Sequence, residues 1–508
     1  MLTNGVKPST LLRVFVLAVW TVGCSGEPAA GDAGDDAAGD VGPDVVEDTP
    51  GDTAADIGEH DGEDGDDGDA GDDAAGPPGL STALEEAGFA VQAGVLDEPD
   101  LESCCEPGGF CSGTNPTSPY GQLRLPPGPG QTAENPGTDA EGRSSAFRLR
   151  EDEAVIVFGR TPPSCRYYGF TPYLMDRHDD GSGARVPLFA SLGDTANNLS
   201  TTTAGGAFDE RTAIVMAADQ HTLGRVREAL LAAGHPAEAV NVVVLPASRC
   251  VFGLDQNADT FGMMLRVAVP EDPAALDRYF EDPPVEVLRA TPAVPEEVTP
   301  LPEPVIRDRG TGTAEDLRAA VDDLEAALRA AVGAFSPSAT ITDVPTAAAF
   351  PAVFNGFSCI DRMSFCGGDN RDALYMGTGD GAFRIGPGYL IAFGVNHQAT
   401  GKASYSNAVV QYVENAMGVV ALDSTQMSGT ADAYLPSHPD VDLLYAVAFA
   451  RDCAAVPLTS CVEVPSDGCP LLPADAEANV VFRAYLEPAT RTGPDLREIV
   501  VDRVLYVE

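Results

Sequence analysis

The sequence predicts an α+β protein in two globular parts. The first is a mixed α/β domain with β-α-β units, and the second is a mostly antiparallel, β-sandwich-like domain; disulfides stabilise both. Three observations carry this reading. Short runs of β-branched and aromatic residues, punctuated by Gly, Pro, Asp and Ser, recur from about residue 145 to the end. Between 212 and 290, helix-patterned segments separate such runs. A proline-rich stretch at 291–312 divides the chain, and 11 cysteines are spread along it.

The first residues form a processing segment and stand outside the fold. Lys7 and Arg13 supply a positive region, and VFVLAVWTV (14–22) supplies an apolar run. That run is about half of the roughly 20 residues that span a bilayer. It ends in T-V-G-C, where Gly23 and Cys24 resemble the lipobox of bacterial lipoproteins, although Thr21 replaces the usual leucine. The resemblance implies a signal peptide over 1–23, lipidation of Cys24, and an exported protein anchored to a membrane, periplasmic or on the outer-membrane surface. An ordinary secretory signal cleaved nearby is the simpler alternative. Setting Cys24 aside from the 11 cysteines leaves an even number, enough for five disulfides, and export makes disulfides chemically permissible.

Residues 24–79 read as a disordered, Asp-rich stalk. Between 25 and 80 there are 19 acidic residues and no Lys or Arg. So little apolar surface cannot offset the entropy of ordering, and mutual repulsion extends the segment. Glycines at every third position near 62–71 lack the prolines of a collagen repeat. The net charge of −48 excludes nucleic acid, which is bound by neutralising phosphates. It also disfavours anionic headgroups, so the membrane would be reached through lipid alone.

Residues 80–143 form a cysteine-containing transition segment. There STALEEAGFAVQAG is expected as a short helix and CCEPGGFC (104–111) as a disulfide-tied knot. The α+β domain spans 144–290. Its expected strands are AVIVFG (154–159), CRYYGFTPYLM (165–175), VPLFASL (186–192) and TAIVMA (212–217). TLGRVREALLAAG (222–234) places Leu223, Val226, Leu230 and Ala233 on one helical face and stops at Gly234. With NVVVLP (241–246) it makes a β-α-β unit. MMLRVAVP, EDPAALDRYF and VEVLRA make a second. Residues 291–312 are a stiff linker. Residues 313–508 open with a helix whose capping box is Thr313 and Asp316 and whose apolar stripe is Leu317, Val321, Leu324, Leu328 and Val332. The rest of that region is strand-like, from ALYMGT to EIVVDRVLYVE, with Cys359, Cys366, Cys453, Cys461 and Cys469 spaced for local bridges.

Chemical motifs are sparse. NHQATGKAS (396–404) falls short of a phosphate loop, because Asn396 replaces the first glycine, Ala403 replaces the magnesium-binding hydroxyl, and a strand rather than a helix should follow. GGDNRDALY (367–375) resembles the G-D-N-R-D box of type I signal peptidases. That family also needs a lysine base, and Lys402, the one lysine after the signal segment, lies on the wrong side of the box. The stretch is therefore expected to be a turn in which Asp369 and Asn370 bond their own backbone. Asp176 and Asp180 in MDRHDDGSG, and Asp255, Asn257 and Asp259 in DQNAD, are weak calcium candidates; both loops lack the distal acid of a complete site. Calcium is the single cofactor left open. No nucleophile elbow, H-E-x-x-H helix or C-x-x-C pair occurs.

A polar group remains beside a strand: Asn396, His397, Thr400 and Lys402. The simpler reading is a hairpin, AFGVNHQATGKASY, with a polar tip. His397 and Lys402 are the catalytic candidates if the protein is an enzyme. The segments 159–173 (GRTPPSCRYYGFTPY) and 483–494 (RAYLEPATRTGP) resemble uncharacterised exported proteins of bacteria, a likeness that carries no catalytic residue with it. The expected function is a noncatalytic binding or structural role for a lipid-anchored exported protein, with a protein or glycan partner. The alternative is an extracellular hydrolase or carbohydrate-active enzyme that uses the His397 and Lys402 region.

Overall fold

Period-two alternation in the strands sorts side chains onto opposite faces and so builds the protein as a stack of layers. The computed structural model describes residues 79–508, apart from 107–110, 112–113, 314–315, 350–355, 380–382 and 387. The signal segment, Cys24 and the stalk to residue 78 lie outside the described residues. Mostly β with few helices, the described residues form three sheets.

The first half, to Pro292, forms one sheet. Its strands are β1 (Phe89–Asp97), β2 (Tyr120–Arg124), β3 (Ala154–Arg160), β4 (Cys165–Asp179), β5 (Ala184–Ser191), β6 (Ala196–Asn197), β7 (Arg211–Ala217), β8 (Val240–Val244), β9 (Thr260–Pro270) and β10 (Val285–Pro292). Their order is β5-β4-β9-β2-β1-β10-β3-β7-β8, with β6 beside β4. β1 turns the corner, pairing with β10 through Gly94 and with β2 from Val95. A Cβ on Gly94 would sit 2.5 Å from the Arg124 carbonyl oxygen, so the corner requires glycine. Past the corner, Tyr168, Phe170 and Leu174 of β4 share a core with Val155, Ile214 and Val287 from the other end of the sheet.

Helix α1 (Leu80–Glu86) and helix α2 (Gln220–Ala232) cover the outer face, where Leu84, Val226 and Leu230 meet Ile156, Val215 and Leu288. Asp219 caps α2 by accepting from Thr222 N (2.7 Å), and Gly234 follows its end at φ +74°. The expected unit β7-α2-β8 is present, with its strands parallel. The second expected unit is not. Helix α3 (Pro273–Glu281) does lie between β9 and β10, but β2 and β1 separate those strands. The segment expected as one helix, 81–94, ends its helix at Glu86 and becomes β1, because FAVQAGVLD carries the β-branched and aromatic content.

The second half contains two sheets. One runs β11 (Ile341–Val344), β20 (Arg503–Val507), β14 (Tyr389–Val395), β17 (Leu444–Ala450), β18 (Cys461–Glu463). The other runs β12 (Ala347–Ala349), β13 (Ala373–Gly377), β19 (Ala478–Tyr485), β15 (Tyr405–Tyr412), β16 (Met417–Asp423). They face each other across Leu390, Val447 and Phe449 on one side and Met376, Val410 and Phe482 on the other, which is the expected sandwich. Helix α4 (Arg318–Phe335) lies on the outer face of the first of these sheets. Its stripe of Leu317, Val321, Leu324, Leu328 and Val332 is buried as expected, contributing about 1.5–3 kcal/mol per side chain before entropy is counted. The capping box does not form: Leu317 is the N-cap without a side-chain bond, and Asp316 pairs with Arg318.

Three connections tie the halves together. The loop holding Cys104 and Cys111 sits in the sandwich core of the second half, and Cys105 is disulfide-bonded to Cys469. In return, helix α5 (Gly356–Arg362) places Cys359 and Ile360 in the core of the first half. The expected linker, 291–312, is a strap fixed on both sides. Thr299 N donates to Asp219 (2.7 Å) and Leu301 N to the Ala218 carbonyl (2.7 Å), while Arg309 donates to the carbonyls of Arg371 (2.8 Å) and Ala373 (3.0 Å). Among the described residues four disulfides form, Cys104–Cys111, Cys105–Cys469, Cys359–Cys366 and Cys453–Cys461, rather than five. Cys165 and Cys250 are free thiols in the first half.

Candidate functional site

The same alternation that feeds the cores points a second set of side chains into the seam between the halves. From β4 come Tyr167, Thr171 and Tyr173, and from β9 comes Arg266. Facing them are Tyr375 of β13, Tyr405 of β15, and Arg483 and Tyr485 of β19. Tyr405 and Tyr485 stack at 4.8 Å, and Tyr167 lies 5.0 Å from Tyr485. Gly169 is required here, since a Cβ would fall 2.5 Å from the Tyr167 hydroxyl.

G-D-N-R-D (368–372) crosses this seam. Asp369 bonds the first half rather than its own backbone: it accepts from Ser191 N (2.8 Å) and Ser191 Oγ (2.6 Å). Asn370 accepts from Thr195 Oγ1 (2.9 Å) and donates to the Tyr167 hydroxyl (2.9 Å). As expected of a turn, it also accepts from the Asp372 backbone N–H (2.9 Å). Arg371 pairs with Asp194 (2.5 Å), and Asp372 accepts from Asn197 Nδ2 (2.9 Å) and the Tyr167 hydroxyl (3.2 Å). Burial raises Asp369, with the Ser191 bonds holding part of that back. Burial also pushes Asp372 up to about 7. Arg266, 4 % exposed, reaches no carboxylate in an ion pair. Its guanidinium lies over Tyr120 (5.7 Å) and Tyr173 (5.6 Å) and donates to the Gly368 carbonyl (3.1 Å).

The polar group of Asn396, His397, Thr400 and Lys402 is not a hairpin tip. β14 and β15 belong to different sheets, so 396–404 is a crossover, and its residues diverge. Asn396 donates to the Ser424 carbonyl (2.9 Å), and Thr400 donates to the His397 carbonyl (3.1 Å). His397 is 3 % exposed; its Nε2 lies 3.7 Å from Asp502 and has no hydrogen-bond partner among the described residues. The hydroxyl of Tyr445 donates to the same Asp502 (2.8 Å). Lys402 turns instead to Glu487 (3.0 Å), Glu498 (2.5 Å) and Thr311 of the strap (2.9 Å). Burial pulls Lys402 down, but the bonds and charges of Glu498 and Glu487 outweigh it and hold the ammonium above its ordinary value. His397 and Lys402 therefore serve separate contacts.

The calcium candidates scatter similarly. Asp176 pairs with Arg185, and Asp180 lies exposed at 3.8 Å from His178. Asp255 accepts from the Asn257 backbone N–H (2.8 Å), while buried Asp259 pairs with Arg177 (2.6 Å). Among the described residues no three His, Cys, Asp or Glu side chains gather as a metal site. A shallow groove is lined by Arg177, Arg249, Cys250 and Asp361, but Arg249 is already paired with Asp361 (2.5 Å). Burial pushes the Cys165 thiol up to about 12 and raises Cys250 as well, so neither is an activated nucleophile.

Fold and seam together define a disulfide-linked, layered β protein whose polar residues concentrate between its halves. No protein-family model matches the chain, and no curated protein matches it in sequence. Among solved structures, it is similar to an uncharacterised protein from Burkholderia cenocepacia, at 11% identity and a TM-score of 0.39, over 84% of this chain and 86% of that one. It also shows a likeness to PNGF-II at 8% identity and a TM-score of 0.17, covering 83% of this chain and 64% of that one.

Proposed function

We propose that the protein is exported, anchored by a lipid on Cys24, and has a noncatalytic binding or structural role, with a protein or glycan as its partner. The observation that carries this reading is the use made of its chemical side chains. Lys402, Asp369, Asn370 and Arg371 each make contacts that join separate parts of the chain, and the described grooves do not open onto them. Groups spent in this way hold a platform in shape. Four disulfides suit an oxidising compartment. No helix among the described residues is long and apolar enough to cross a membrane.

Labelling of the expressed protein with radioactive palmitate tests the anchor. Label is expected on the wild type and absent from Cys24→Ala; label that persists in the variant refutes it. The competing hydrolase reading uses His397 and Lys402, which face different partners; what favours a hydrolase elsewhere is the pair of seam carboxyls Asp369 and Asp372 with raised pKa values. It requires a polymer to be cut by the wild type and left intact by Asp372→Asn.

A further inference from the structure

We propose that the seam is a proton-dependent latch: the halves close over a neutral Asp372 carboxyl, and ionisation of that carboxyl loosens their contact. Asp372 is 0 % exposed. Its Oδ2 accepts from Asn197 and Tyr167, both of the first half, while its Oδ1 accepts from nothing among the described residues. Three arginines stand nearby and each is committed elsewhere. Arg371 holds Asp194 and the Arg307 carbonyl (2.6 Å); Arg307 approaches Asp194 (3.9 Å) and donates to the Arg491 carbonyl (3.0 Å). Arg309 holds the carbonyls of Arg371, Ala373 and Pro494.

The charged and titratable groups on the elements around Asp372 are therefore these. Asp194 follows β5, Tyr167 is on β4, and Arg266 is on β9. Arg307 and Arg309 are on the strap, Asp369 and Arg371 are on its own loop, and Glu487 follows β19. Tyr375 of β13, Tyr405 of β15, and Arg483 and Tyr485 of β19 line the same seam. Among the described residues, Arg266, Arg307, Arg309 and Arg371 form no ion pair with Asp372. An ionised carboxylate would be a buried charge with one oxygen unsatisfied among the described residues, which burial disfavours. A neutral carboxyl keeps both bonds from the first half at Oδ2 and replaces the buried charge with an uncharged hydroxyl at Oδ1.

Burial pushes Asp372 from 3.8 to about 7; bonds from Asn197 and Tyr167 and the charge of Arg307 offset part of this, and Asp194 adds to it. Raising the pKa of an acid means that the closed seam takes up the proton. Closure is thus favoured in full below pH 3.8 and loses its advantage as pH rises towards 7. At tenfold per pH unit, the closed-to-loosened ratio falls by up to about a thousandfold over that window.

Hydrogen exchange of the full mature chain, read by mass spectrometry at about pH 5 and about pH 8, tests the latch. Strands β3 and β7 serve as the internal reference for intrinsic rates. Peptides covering 165–174, 188–198 and 370–377 should exchange at least tenfold faster at the higher pH in the wild type, and equally at both in Asp372→Asn. An equal pH response in the two proteins overturns the proposal. If the variant does not fold, the infrared carbonyl band of the wild type decides. A protonated-carboxyl band that titrates away near pH 7 upholds the latch, and one absent or already lost by pH 5 refutes it.

Discussion

Lys402→Met separates a structural cation from a catalytic one. The ammonium is bonded to Glu487 and Glu498, whose side chains are 2 % and 11 % exposed. Its removal leaves two carboxylates together with little water to screen them. Two routes give the magnitude. Charge-assisted hydrogen bonds contribute about 1.5–3 kcal/mol each, and part of that returns as the shortened side chain admits water. Independently, burial pushes Glu498 up, yet the Lys402 bond and the backbone N–H groups of Thr311 and Gly312 bring it from 4.5 down to about 2. That depression corresponds to about 3 kcal/mol, of which the two amides retain a share in the variant. Both routes lead to a loss of about 2–4 kcal/mol.

The pH dependence follows from the sign. A depressed carboxyl stabilises the fold above its ordinary value, and that stabilisation is lost as pH falls from 4.5 to about 2. The gap between wild type and variant, measured by urea unfolding followed by circular dichroism, should be constant above about pH 5 and narrow progressively in acid. A gap below about 0.5 kcal/mol at neutral pH, or one indifferent to acid, refutes the reasoning and returns Lys402 to the list of residues held for chemistry.

Other outcomes follow from named contacts. Arg289 and Glu153 form an ion pair at 2.8 Å with both side chains 0 % exposed; Arg289→Met should cost about 3–5 kcal/mol, and adding Glu153→Gln should recover most of it. If the double variant is no more stable than the single one, the buried charge is not the cause. Cys105→Ser, which opens the bridge to Cys469, should lower the melting temperature and release the 102–111 loop to proteolysis first. Thiol titration should find two reactive groups in the unfolded mature protein without reductant and none reacting rapidly in the native one, because Cys165 is buried and both thiols have raised pKa values. A count of zero after unfolding would mean a fifth disulfide.

The layers were legible where burial alone decides. VIVF, YYGF and VVFRAY alternate or run apolar in ways that only a strand can bury, and each is a strand. The β1 corner was missed because FAVQAGVLD follows a helix-patterned run with only Gly88 between them. The seam was legible in composition but not in place. GGDNRDALY stood out, yet Tyr167 and Asp372 meet across 205 residues, a pairing that no local pattern encodes. His397 and Lys402 drew attention for their rarity, and rarity says nothing about direction. A crossover between sheets sends the two side chains apart, where a hairpin would have kept them together.

Cys104 and Cys105 are neighbours with very different partners, seven residues away for one and 364 for the other. In a chain threaded out from its N-terminus, Cys111 emerges almost at once, whereas Cys469 comes near the end. If the chain is exported in that order, both adjacent thiols can reach Cys111 long before Cys469 emerges, and pairing Cys105 with Cys111 would strand Cys104. Reaching the Cys105–Cys469 bridge requires Cys105 to remain reduced until nearly the whole polypeptide is present, or to be released afterwards by exchange. The yield of native protein should then depend on a disulfide-shuffling activity in the receiving compartment, making this one junction the point at which biogenesis succeeds or fails.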